Sequence, residues 1–309
     1  MRRRLVTAAK RVAGGAVAAL HRAAGAPAGP GFGILMYHRV APPAPRIAAP
    51  SWNVPPARFR LQIEGLLAAG YRVWPLRRLI SAMESGEPLP RKVTAITFDD
   101  GYASVFSEAF PVLDELSLPA TVFAATAYLD SVAPFPFDEW GSALHGQAPP
   151  ESWRPLRWEE CRAMEASGLV EIGTHTHTHR DFRGAAEALE ADLARSCRRL
   201  CDVLGPRAPL FAFPYGAPEL GFAAPEQMRA ARDAGVACAL TTEGATVRRG
   251  ASPYGWGRFE VTAGDSAASL AAKLAGFYDW MRAAKRGFVR LSPPPYLEVE
   301  RGAARESAR

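Results

Sequence analysis

Three of the chain's six histidines stand at alternate positions in "EIGTHTHTHRDF", residues 171–182. In an extended strand His175, His177 and His179 would face the same way, as in a three-histidine zinc site. In a turn or helix-like loop His175 and His179 share a face while His177 points away. The glycine after Val-Glu-Ile marks the end of the strand, so the spacing predicts the pair. A solvated, threonine-rich polar loop is the rival. The second cluster is "TFDDG", where an apolar stretch from Val93 to Phe98 runs straight into Asp99 and Asp100. Adjacent carboxylates repel, burial disfavours both anions, and a turn needs only one acidic residue. A bound cation would answer the puzzle of both clusters. An Asp-His-His face would leave it open positions for a water and a substrate oxygen, which it would activate.

These clusters have to be carried to one place. "GFGILMYHRV" (31–40) reads as a first buried strand with His38 near its end, followed by a loop broken by prolines. "ARFRLQIEGLLAAG" (57–70) has Phe59, Ile63, Leu66 and Leu67 at helical spacing and a glycine stop. "YRVWPL" and "LRRLISAMESG" read as strand and helix. The "KVTAITF" strand follows, then a helix in "SVFSEAFPVLDELS" and a strand in "PATVFAAT" (119–126). "WEECRAMEASG" is helical, "LVEIG" (169–173) a strand and "AAEALEADLARSCRRLCDVLG" a long helix. "PLFAFPYG", "PEQMRAARDAG" and "VACALTTEG" read as strand, helix and strand. Such alternation predicts an α/β fold around a parallel sheet, either doubly wound or a barrel. In a β/α barrel the C-terminal strand ends converge on one face. Here those ends carry His38, Asp99–Asp100, His175 and Tyr215. No Gly-x-Gly-x-x-Gly turn or Walker loop supports a nucleotide fold.

The charge distribution narrows the partners. The 309 residues carry a net charge of +6, and the first 22 hold six basic residues and no acidic one. A basic surplus confined to the ends argues against a nucleic-acid groove across the body. Leu5, Ala9, Val12, Ala16 and Leu20 fall near one helical face, so residues 1–22 are predicted to be a basic helix in peripheral contact with a membrane. A signal peptide is the rival, weakened by Lys10–Arg11 and His21–Arg22 at the two ends of the apolar run. The four cysteines form neither a C-x-x-C pair nor a disulfide framework, and nothing requires an oxidising compartment.

"TFDDG", "HTHTH" after "EIG" and "FAFPYG" (211–216), in this order, resemble the polysaccharide deacetylases of carbohydrate esterase family four, the NodB-like domain. The resemblance covers roughly residues 31–285 and implies a distorted parallel (β/α) barrel. It also implies that Asp99 is the catalytic base and that Asp100, His175 and His179 hold a divalent metal. Thr176 would steady the histidine loop, His177 would have no assigned role, and the backbone N–H of Tyr215 would serve the oxyanion. Zinc is the expected metal, with cobalt, nickel or iron as other occupants of such a donor set.

Two departures qualify the resemblance. Many members have an arginine at the position of Ala212, and a branch that includes the biofilm poly-N-acetylglucosamine deacetylases reads like "FAFPYG" instead. That branch has an arginine downstream, which Arg258 in "YGWGRFEV" resembles, so Arg258 is expected to pair with Asp99; a surface or structural arginine is the rival. The usual C-terminal Leu-x-His is absent. The same branch begins with a strand like "LMYHRV", as in a circular permutation, which makes His38 the candidate general acid. Trp140, Trp153 and Trp256 could stack on sugar faces, although packing explains each of them as well. "FPFDEW" (135–140) is expected to shape the substrate groove.

The expected organisation is a basic segment 1–30, a deacetylase domain 31–285 and a polar tail 286–309. The expected activity is metal-dependent removal of N-acetyl groups from the amino sugars of a glycan, with release of acetate. Its rivals are a deacylase of a glycolipid or non-sugar amide on the same fold, and a catalytically weak glycan-binding module. The expected location is cytoplasmic and peripheral at the membrane, with export through an atypical signal as the alternative.

Overall fold

The computed structural model describes residues 31–44, 46–277 and 279. The basic segment 1–30 and the tail 286–309 lie outside the described residues, and so does the expected membrane contact of residues 1–22. No helix among the described residues is long and apolar enough to cross a membrane.

The strands are β1 (Gly31–Tyr37), β2 (Arg39–Val40), β3 (Asn53–Val54), β4 (Arg72–Val73), β5 (Val93–Phe98) and β6 (Ala120–Ala124). Then come β7 (Val170–Thr174), β8 (Leu210–Ala212), β9 (Cys238–Leu240), β10 (Val247–Arg248), β11 (Tyr254–Trp256) and β12 (Phe259–Glu260). The helices are α1 (Pro56–Ala68), α2 (Leu76–Ser85), α3 (Phe110–Glu115), α4 (Glu139–Leu144), α5 (Trp158–Ala166), α6 (Ala186–Leu204), α7 (Pro225–Asp233) and α8 (Ala267–Leu274).

The main sheet runs β10-β1-β5-β6-β7-β8-β9-β11, and β12 also pairs with β1. Its neighbours are parallel except for the β1–β10 contact. Strands buried on both faces read as continuous apolar runs, and all six residues of β5 are buried. Between β11, on one flank, and β12, against β1 on the other, lie only Gly257 and Arg258. Trp256 is bonded back to Thr241 beyond β9, and the Val261 amide donates to the Met36 carbonyl. The segment 254–261 therefore spans the gap in a nearly closed barrel, and Arg258 sits at the seam.

Several elements differ from their sequence reading. The first strand stops at Tyr37, His38 is irregular, and β2 holds only two residues, pairing with β3 outside the main sheet. The helix expected in "SVFSEAFPVLDELS" opens as a wide π-type turn over Val105–Ala109 before α3. Pro111 has no N–H to give a regular i−4 ladder there. The strand before the histidines does not end at Gly173 but continues to Thr174. Trp140 and Trp153 are buried in a small cluster with Leu144, and Trp256 packs edge-on against Phe32 at 5.3 Å. Burial leaves none of the three as a sugar platform. All four cysteines are free.

Candidate metal-centred active site

The carboxylate pair follows directly from the end of β5. The Asp99 amide still donates to the Tyr37 carbonyl of β1, after which the chain turns sharply, with Asp100 at φ 70° and Gly101 at φ 86°. A Cβ on Gly101 would lie 3.1 Å from the Ala124 side chain, so this turn needs glycine twice over. The turn sends the two acidic side chains to different partners.

Asp99 meets Arg258. The guanidinium donates from Nη1 and Nη2 to the two carboxylate oxygens at 2.5 and 2.7 Å. Its Nε donates to the Thr241 carbonyl, and Nη1 also reaches the Thr97 hydroxyl at 3.3 Å. Arg258 is fully buried and Asp99 is 2% exposed. Burial alone would raise the Asp99 carboxyl; Arg258, with His175 and His38 beyond it, outweighs that and holds it below the usual carboxylate range.

Asp100 meets the histidines. Its Oδ1 lies 3.4 Å from His175 Nε2 and 3.3 Å from His179 Nε2, and all three residues are buried. His175 Nδ1 is bonded to the Ala212 carbonyl at 2.8 Å, which fixes the proton on Nδ1 in the neutral ring and leaves the Nε2 lone pair toward Asp100. Acceptors converging in this way need a cation or a proton between them. The donor set, one carboxylate and two imidazoles within 4.8 Å of one another, suits a divalent transition metal. Burial opposes charge on Asp100, yet the facing imidazoles hold its carboxyl well below the usual range. Burial likewise pushes the His179 imidazole down, against the pull of Asp100, and so favours its ligating neutral form.

The histidine loop is held from below. The His179 amide donates to the Thr176 hydroxyl at 3.0 Å. Asp192 of α6 accepts from the His177 amide at 2.6 Å, the Thr178 amide at 3.1 Å and the Thr178 hydroxyl at 2.7 Å. His177 turns away to Thr126, its Nδ1 lying 2.9 Å from the hydroxyl. The Ser196 hydroxyl joins Thr126, Thr174 and the Thr176 carbonyl into one buried network. Thr176, His179 and Tyr215 take left-handed backbones at φ 64°, 54° and 59°. With Asp100 that places four non-glycine residues in a conformation costing about 1–3 kcal/mol each, the kind of strain that collects at functional sites.

Around this centre stand aromatic rings. Phe137 stacks on His179 at 3.8 Å, Tyr215 meets the same imidazole edge-on at 5.1 Å, and Phe222 lies 4.9 Å from Tyr215. Tyr215 is 47% exposed, so its ring forms part of the site's outer rim. His38 lies beside Trp52, 5.7 Å between rings, and is near enough to lower both Asp99 and Asp100 electrostatically. The structure thus gathers Asp99, Asp100, His175, His179, Arg258, Tyr215 and His38 at one end of the barrel. Sequence reasoning missed Phe137 and Asp192. The quoted "FPFDEW" marks the right segment, but no spacing rule says which of its rings meets a histidine.

Residues 86–239 match the polysaccharide deacetylase family. The chain is 29% identical over 124 residues to the poly-β-1,6-N-acetyl-D-glucosamine N-deacetylase of Escherichia coli (strain K12), a match covering 40% of this chain and 18% of that enzyme. The match therefore spans less than a fifth of that relative's length. Among solved structures, IcaB from Ammonifex degensii superposes with a TM-score of 0.64 at 28% identity, covering 79% of this chain and 97% of that one. A de-N-acetylase from Aggregatibacter actinomycetemcomitans has the same fold, with a TM-score of 0.64 at 21% identity over 78% of this chain and 99% of its own. His38 and Arg258 fall outside the matched span 86–239, so their place in the site rests on geometry.

Proposed function

We propose that this chain, which carries a polysaccharide deacetylase domain, is a metal-dependent hydrolase that removes N-acetyl groups from a β-linked N-acetylglucosamine polymer and releases acetate. The observation that carries the reading is the Asp100–His175–His179 donor set beside a second carboxylate that Arg258 holds in place. A divalent metal held by those three residues would activate a water and polarise the amide carbonyl. Asp99, kept ionised and oriented by Arg258, accepts the proton of the attacking water on a carboxylate oxygen. The Tyr215 backbone N–H donates to the carbonyl oxygen as it gains negative charge. The rings of Phe137 and Tyr215 pack against His179 beside the centre. As the C–N bond breaks, the amine leaves well only if protonated, and His38 supplies that proton.

The test is acetate release from oligomers of poly-β-1,6-N-acetylglucosamine, with chitin oligomers as the comparison glycan. Turnover of the first that stops with a chelator and returns with Zn²⁺ is the expected result. A fully metal-loaded protein that releases no acetate from either glycan would remove the reading.

A further inference from the structure

Arg39 and Asp138 form a buried ion pair between Nη2 and Oδ2, with both side chains essentially inaccessible to solvent. The guanidinium carbon also lies over three rings, Tyr102 at 4.0 Å, Trp140 at 4.6 Å and Trp52 at 5.1 Å. Asp138 stands at the N-cap position of α4 but makes no side-chain bond to that helix; its Oδ2 accepts from Arg39 instead. Gly141 completes the arrangement, because a Cβ there would lie 2.2 Å from Asp138 Oδ2. A buried pair is a poor source of net stability, since desolvating both charges offsets most of their attraction. Its position suggests another role.

Each partner neighbours a group at the site. Arg39 follows His38 directly, at the break between β1 and the two-residue β2. Trp52 touches both, its ring 5.7 Å from the His38 ring and 5.1 Å from the Arg39 guanidinium carbon. A two-residue strand pairing only with β3 does little to fix the His38 backbone. On the other side, Asp138 follows Phe137, the ring stacked on His179. We propose that the Arg39–Asp138 pair is a positioning clamp that ties the His38 strand break to the Phe137 segment and so sets the proton donor at its working distance from the reaction centre. The inference rests on the reading of His38 as proton donor.

The test uses the full chain, metal-loaded, with an N-acetylglucosamine oligomer as the amide substrate and an activated aryl acetate as a substrate whose leaving group needs no proton. The double variant Arg39→Met/Asp138→Leu removes both charges together, which buried pairs commonly tolerate. Gly141→Ala displaces the Asp138 carboxylate with both charges kept. The double variant should retain metal and thermal midpoint, and Gly141→Ala should retain metal with a lowered midpoint, because it leaves buried charges apart. Both should keep KM within a few-fold and lose kcat on the amide, by up to about 10²-fold in the double variant. Turnover of the aryl acetate should fall far less. His38→Ala is measured in parallel. If His38→Ala is selective for the amide and the clamp variants hit both substrates equally, or neither, the clamp is overturned and the donor stands. If His38→Ala itself lowers both equally, the donor reading and the clamp fall together.

Discussion

Asp99 is an anion that burial would neutralise and Arg258 keeps charged. Asp99→Asn leaves the metal donors untouched but removes the proton acceptor, so metal content should stay near that of the parent while turnover falls about 10²–10⁴-fold. Zinc-loaded Asp99→Asn working near the parent rate would take Asp99 out of the chemistry. Arg258→Ala should also keep metal but leave Asp99 buried without its partner. Replacing the donors themselves has the opposite signature. Asp100→Ala, His175→Ala and His179→Ala should each lose tightly bound metal, whereas His177→Ala, whose ring is turned to Thr126, should keep most of it. Metal analysis of the four purified proteins checks this, and loss at His177 equal to the others would mean a three-histidine site.

The histidine loop depends on α6 more than on its own strand. Asp192 alone accepts two loop amides and one loop hydroxyl, so Asp192→Ala releases three donors beneath the ligands. Losing such support typically weakens metal binding about 10–100-fold. Competition with a chromophoric chelator should show that loss, with Asp192→Asn milder because one oxygen remains; unchanged affinity in Asp192→Ala would show that the loop holds itself. This support also marks where sequence reading stops. The alternation of strand and helix, and the types and spacing of Asp99, Asp100, His175 and His179, are local signals, and the residues themselves display them. Asp192 is a helix residue like its acidic neighbours Glu187 and Glu190, and only the packing of α6 against β7 gives it a role. His38 is similar: the apolar run 31–37 reads as a strand, but its break after Tyr37 comes from β2 leaving the main sheet for β3. Trp140 reads as a loop aromatic that could stack on a sugar or pack, and only the formation of α4, with Arg39 lying over the ring, decides for packing.

Closing the barrel joins chain segments some two hundred residues apart, and a polar stitch does it. Gln62 of α1 takes the Tyr37 hydroxyl and donates from Nε2 to the Thr262 and Asp265 carbonyls at 3.0 and 2.9 Å. The Tyr71 hydroxyl donates to the Ala271 carbonyl in α8. Asp265 is the centre of the turn that follows the seam. It accepts from the Thr262 amide and hydroxyl and the Ser269 hydroxyl, and pairs with Lys273 at 2.9 Å. Burial would raise its carboxyl, but Lys273 and the Thr262 donors outweigh burial and lower it. A carboxyl lowered in the folded protein contributes stability that is complete above its unfolded value, about 4, and is lost as pH falls through the folded value. Asp265→Asn keeps the shape and surrenders the pair with Lys273, so it should cost about 1–3 kcal/mol at neutral pH. Urea midpoints for parent and variant, taken from neutral pH downward, should converge once the parent carboxyl is protonated. A gap as wide at the acidic end as at neutrality would mean that Asp265 acts through its shape in the turn and that its charge contributes nothing to closing the barrel.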